Sequence, residues 1–77
     1  MGINMTLSQM KENETGYITF INAGSGFERR FFDMGFISGQ PVCCTNIGIF
    51  GSPIAYQLRG SKIALRKKDA DRIGVIV

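Results

Sequence analysis

Apolar and polar positions alternate with a period of two over short stretches of this chain, and that alternation outlines a β protein. Pro53 to Arg59 sets Ile54, Tyr56 and Leu58 against Ala55, Gln57 and Arg59, as expected of a strand with one face buried. Gly60-Ser61 turns it into Lys62 to Arg66, whose Ile63 and Leu65 face inward. Tyr17 to Asn22 and Val42 to Thr45 are rich in strand formers, and Pro41 is acceptable where it stands because a strand start does not need its missing N–H. Arg72 to Val77 closes the series. Five short strands result.

Two segments break the period. Thr6-Leu7-Ser8-Gln9 reads as a capping box flanked by Met5 and Met10 as a hydrophobic staple, so a helix of one or two turns is expected before the turn residues Asn13-Glu14-Thr15-Gly16. A second helix follows the first strand, with Ser25 as N-cap, Glu28 completing its capping box and Gly35 stopping it in a left-handed conformation. Such an ending brings Phe36 back onto Phe31. At about 100° per residue Phe27, Phe31 and Met34 share one stripe, while Phe32 lies well round the cylinder. Cover by a neighbouring loop is the plainer expectation for Phe32, and an exposed anchor for a partner is the other. Asn46 to Ser52 predicts a loop unusually rich in apolar residues, with Ile47, Ile49 and Phe50, and Lys67 to Asp71 a single helical turn.

Close turn spacing and one inserted helix favour a mainly β fold, a small barrel that removes sheet edges by closure. SH3-like is the preferred form, although spacing alone also admits an OB-type barrel. Nothing in the sequence reads as a repeat or a linker, so residues 1–77 are expected to form a single domain.

Charge adds an asymmetry. The formal net charge is +3, yet residues 1–28 carry a net −2 and the remainder +5, so the later part is the basic side and suits an acidic protein, an anionic leaflet or nucleic acid. Histidine is absent, which removes the commonest general base and transition-metal ligand. Asp33, Asp69 and Asp71 read as solvated surface, there is no phosphate-binding glycine motif, and no enzyme activity is expected. Cys43 and Cys44 are adjacent, so on a strand they face opposite ways and cannot pair without severe strain, which points to a reducing compartment. With no signal-peptide pattern and no spanning apolar run, a soluble cytoplasmic protein is expected. The loose myristoylation pattern at residues 1–6 and the sequon at Asn13 are discounted.

Arg29-Arg30-Phe31-Phe32-Asp33-Met34-Gly35-Phe36-Ile37-Ser38-Gly39 resembles the signature of the FeoA family: paired arginines, an apolar helix, Gly, an apolar residue and a further Gly before a strand. Thr6-Leu7, Gly51-Ser52-Pro53-Ile54 and Ile63-Ala64-Leu65-Arg66 are similar to other parts of that family's pattern, over residues 5 to 77. Phe31, Phe32, Cys43 and Cys44 depart from it, standing where aliphatic residues are usual. The resemblance implies a cytoplasmic SH3-like protein acting with FeoB, the membrane ferrous-iron transporter with a cytosolic GTP-binding domain, and peripheral to the membrane through it. Similar domains at the C-terminus of DtxR-type repressors make a metal-responsive regulator the alternative. Family descriptions also mention transition-metal binding.

Arg29, Arg30, Phe32, Phe50, Arg59 and Lys62 are therefore the candidate partner-binding residues, the basic side supplying complementarity and the apolar groups specificity. Cys43 and Cys44 are weak candidate ligands for ferrous iron or zinc, no cofactor being required; the plainer expectation is one thiol in the core and one facing solvent. A nucleic-acid barrel is disfavoured because only Tyr17 and Tyr56 could stand on a strand among the basic residues.

Overall fold

A computed structural model describes residues 2–22 and 27–77, without the side chains of Phe27 and Glu28. Among these described residues six strands, one more than expected, form a single antiparallel sheet: β1 (Asn4–Thr6), β2 (Thr15–Ile21), β3 (Pro41–Ile47), β4 (Ile54–Leu58), β5 (Ser61–Leu65) and β6 (Ile73–Ile76), in the order β1-β6-β2-β3-β4-β5. The short helices α1 (Phe27–Asp33) and α2 (Lys67–Ala70) follow β2 and β5.

The additional strand is β1. Asn4, Met5 and Thr6 pair with Ile76, Val75 and Gly74, and Ile3 and Val77 exchange main-chain hydrogen bonds at 2.8 and 3.0 Å. Three residues are too few for alternation to show, and pairing with β6 satisfies main-chain groups that a longer helix would otherwise take up. The expected opening helix is thus reduced to a 3₁₀ turn, Leu7–Gln9, tied by the Thr6 N–H donating to Gln9 Oε1 at 2.9 Å. Met10 is buried and Met5 packs against the core.

Burial follows the alternation. Ile54, Tyr56 and Leu58 of β4, Leu65 of β5, Ile73 and Val75 of β6 and Val42 and Cys44 of β3 surround Leu7, Ile18, Phe31 and Phe36. Tyr56 is wholly buried, and its hydroxyl donates to the Leu7 carbonyl at 2.9 Å, so the polar tip that burial would otherwise strand is satisfied. Burial pushes that phenol well above its usual range.

β-Bulges alter the simple pattern twice. In β2 the register passes from Ile18↔Val75 to Phe20↔Gly74, which leaves Thr19 as an extra residue, and in β3 from Cys44↔Tyr56 to Asn46↔Ala55, which leaves Thr45. Each bulge flips the strand beyond it. Phe20 is thereby thrown outward, its ring lying over Gly74 so closely that a Cβ there would have no room. Asn46 is exposed, and Ile47, expected in a loop, belongs to β3 and packs against the core.

Helix α1 ends as the sequence predicts. Gly35 adopts φ 103°, its N–H donates to the Phe32 carbonyl at 3.0 Å, and the Phe36 N–H donates to Phe31 at 2.9 Å, which is a Schellman motif. The Phe31 and Phe36 rings meet edge to face at 6.0 Å. The Ser25 cap, the Glu28 half of its capping box and the Phe27 part of the stripe lie outside the described residues.

The β4–β5 turn is Arg59-Gly60 rather than Gly60-Ser61, since Leu58 pairs with Ser61 and both turn residues have positive φ, 52° and 78°. That is the type I′ pattern, in which Asn-Gly is the relaxed choice and a non-Asn side chain in the left-handed region is strained. Arg59→Asn should therefore stabilise the fold by roughly 0.5–1 kcal/mol, read as a rise of a few degrees in thermal midpoint.

Candidate functional site

Helix α1 organises the surface. Because adjacent helix positions point about 100° apart, Arg29 and Arg30 serve opposite sides. Arg29 and Phe32 join Phe20, Ile21, Phe36, Ile37 and Ser38 around a shallow, mainly apolar groove of about 540 Å³. Arg30 joins Phe31 and Met34 in lining a second cleft of about 460 Å³ together with Ala64, Leu65, Arg66, Lys68, Asp69 and Arg72.

Phe32 is 59% exposed and Phe20 55%, so among the described residues no loop covers Phe32 as expected. Two aromatic rings standing in solvent beside one groove, with an arginine at its rim, set an apolar centre against a charged edge. Phe20 was not among the sequence candidates. Phe20 escaped because plain alternation from Ile18 places it on the buried face.

The other candidates scatter. Phe50 lines neither groove. It stands 95% exposed beside Ile49, at 94%, on the Gly48–Gly51 turn, whose Gly51 N–H donates to the Gly48 carbonyl at 2.8 Å. Arg59 lies where its Cδ approaches Gly35, so the β4–β5 turn abuts the end of α1. Lys62 is exposed on β5.

The two thiols divide as expected, Cys44 buried and Cys43 half-buried, both free. Burial first, then the nearby Glu12 carboxylate, pushes the Cys44 thiol up. No cluster of three metal-ligating side chains occurs among the described residues. A thiol titration with an aromatic disulfide should show one equivalent, Cys43, reacting in the native protein and the second only in denaturant; two fast equivalents would contradict the burial of Cys44.

A polar chain links the N-terminal turn to α2. The Ser8 hydroxyl donates to Asp71, so Thr6 donates to Ser8 at 2.8 Å, and Lys67 approaches Asp71 at 3.5 Å. The Ser8 hydrogen bond, ahead of the Lys67 charge, holds the Asp71 carboxyl below its usual value. The pair is exposed and contributes little to stability. No helix among the described residues is long and apolar enough to cross a membrane. Tyr56 is buried and hydrogen-bonded, which removes one of the two aromatics a nucleic-acid platform would need.

The model of the FeoA domain matches residues 5–77. This chain belongs to the FeoA family. A curated relative, the Fe(2+) transport protein A/Fe(2+) transporter FeoB fusion protein of Porphyromonas gingivalis, is 25% identical over 71 residues, which are 92% of this chain and 8% of that protein. The chain thus spans a small fraction of that relative's length. The FeoA of Stenotrophomonas maltophilia, solved as a complex with zinc and described as a procaryotic SH3 domain protein, is 28% identical, covers 92% of this chain and 88% of its own, and superposes with a TM-score of 0.81. A manganese-dependent transcriptional repressor shares the fold alone, at 18% identity and TM-score 0.87, over 99% of this chain and 42% of its own. The fold of this FeoA-family chain is accordingly SH3-like, and the OB-type alternative falls away.

Proposed function

We propose that this FeoA-family chain is a non-catalytic, cytoplasmic protein-binding module of bacterial ferrous-iron uptake, which docks on the FeoB transporter through the apolar groove between β2 and α1. The observation that carries this reading is the pairing of exposed Phe20 and Phe32 around one groove with Arg29 at its rim. Aromatic anchors in a groove with a charged edge are the groups that supply affinity at protein interfaces. The fusion of similar regions in the Porphyromonas gingivalis protein supports the choice of partner, because tethering raises the effective concentration of two modules that act together. No bond is made or broken in this reading, and metal is not required for the contact.

Amide chemical-shift mapping of the labelled chain against the cytosolic part of FeoB, with and without nucleotide and ferrous iron, tests it. Shifts should form one contiguous set containing Phe20, Ile21, Arg29, Phe32 and Ile37. Silence under every condition, or a set confined to another face, overturns the reading.

A further inference from the structure

The cleft on the opposite side of α1 has a different chemistry, and it meets an open strand. In the sheet order β1-β6-β2-β3-β4-β5, β5 is an edge, and among the described residues β4 is the only strand paired with it. The two-residue Arg59-Gly60 turn makes Leu58 and Ser61 a hydrogen-bonded closing pair. From there the antiparallel pattern alternates, so Ser61, Ile63 and Leu65 bond to β4 while Lys62 and Ala64 aim their N–H and C=O groups away from it. Both residues are exposed.

Residues of α1 and of β5 line one cleft together. Arg30, Phe31 and Met34 form one wall of the cleft, and Ala64, Leu65 and Arg66 the other. Lys68 and Asp69 of α2, and Arg72 just after it, complete the lining. Its volume of about 460 Å³ lies within the range of about 300–1,000 Å³ typical of ligand pockets. A groove between a helix and a sheet edge is the arrangement in which an extended peptide adds a strand, main-chain hydrogen bonds giving affinity and the walls reading alternate side chains.

The walls here are cationic. Arg30, Arg66 and Lys68 line the cleft, and Asp69 is the one carboxylate lining it among the described residues. Three cations gathered round a concavity repel one another, and an incoming anion relieves that repulsion. A free phosphate would use the charges but neither the strand edge nor the apolar lining of Phe31, Met34 and Leu65. From this juxtaposition we infer that β5 and α1 form a receptor groove for an extended acidic segment of another protein, which adds to the sheet beside β5 and lays its carboxylates against Arg30, Arg66 and Lys68.

The inference is independent of docking through the apolar groove, and it is tested without the transporter. The probe is a short acetylated peptide of alternating Glu and Val, compared with its Lys and Val counterpart and with the same acidic peptide N-methylated at alternate residues. The acidic peptide should bind at low salt, weaken as salt is raised, and slow amide hydrogen exchange at Lys62 and Ala64. Arg66→Glu combined with Lys68→Glu, both exposed positions, should weaken it by about tenfold or more, and N-methylation should abolish protection of the two amides. Equal binding of the basic peptide, unchanged exchange at Lys62 and Ala64, or indifference to N-methylation would overturn strand addition. Inorganic pyrophosphate shifting the cleft residues while the peptide does not would reduce the cleft to a simple anion site and overturn it equally.

Discussion

Phe36→Ala is expected to cost about 3–5 kcal/mol and to leave much of the population unfolded at physiological temperature. Phe36 is completely buried, and its N–H closes the six-to-one hydrogen bond of the Schellman motif to Phe31 at 2.9 Å. Its ring packs edge to face on Phe31 at an interplanar angle of 87°. Truncation therefore empties the space that joins α1 to the sheet and strips Phe31 of its aromatic partner. A chain of this length has a total stability of only about 4–12 kcal/mol on the usual per-residue scale, so the loss is a large fraction of the whole. Urea denaturation followed by circular dichroism measures it. Phe36→Leu, which keeps most of the volume, should cost much less, and Phe32→Ala, one helical step from Phe31 but exposed, should be near neutral. A Phe36→Ala midpoint equal to the parent's would mean that this contact does not anchor the helix.

The helix ending was legible because its parts are local. Gly35 and Phe36 lie within five residues of the groups they bond, and the stop signal is a residue type with a specific conformational use. Strands β4 and β5 were legible for a similar reason, a full alternation that burial of Ile54, Tyr56, Leu58 and Leu65 then obeyed. The features that escaped are set by pairing between distant segments. Strand β1 exists because Asn4–Thr6 meets β6 some seventy residues later, and nothing in a three-residue stretch announces that. The Arg59-Gly60 turn was displaced by one residue because arginine is a poor advertisement for a left-handed conformation. At the site, Arg29, Arg30 and Phe32 could be named from the helix, but their separation onto two sides of α1 needed the sheet beneath it. Phe20 was hidden by the Thr19 bulge, since plain alternation buries it together with Ile18. Bulges shift register by one residue and so invert the meaning of every position after them.

That inversion carries the largest functional prediction. If the Phe20–Phe32 groove is the docking face, Phe32→Ala should weaken binding to the cytosolic part of FeoB by about thirtyfold or more, the effect expected of an aromatic hot spot worth at least ~2 kcal/mol. The side chain is 59% exposed in the free chain, so its truncation leaves the core contacts of Phe31 and Met34 in place and the thermal midpoint almost unmoved. Arg29→Glu should act differently: a rim charge steers association, so its reversal lowers the on-rate and changes the salt dependence more than it changes the off-rate. Arg30→Glu, on the far side of the helix, should leave this contact nearly intact. Gly74→Ala supplies an indirect test, because a methyl group at that position occupies the space of the Phe20 ring and must displace it from the groove without adding or removing any charge. Surface plasmon resonance on the folded variants separates these effects. Wild-type affinity for both Phe32→Ala and Gly74→Ala would dismiss the groove as the docking face, whereas loss in those two with retention in Arg30→Glu is the signature that one side of α1, and not its general positive charge, makes the contact.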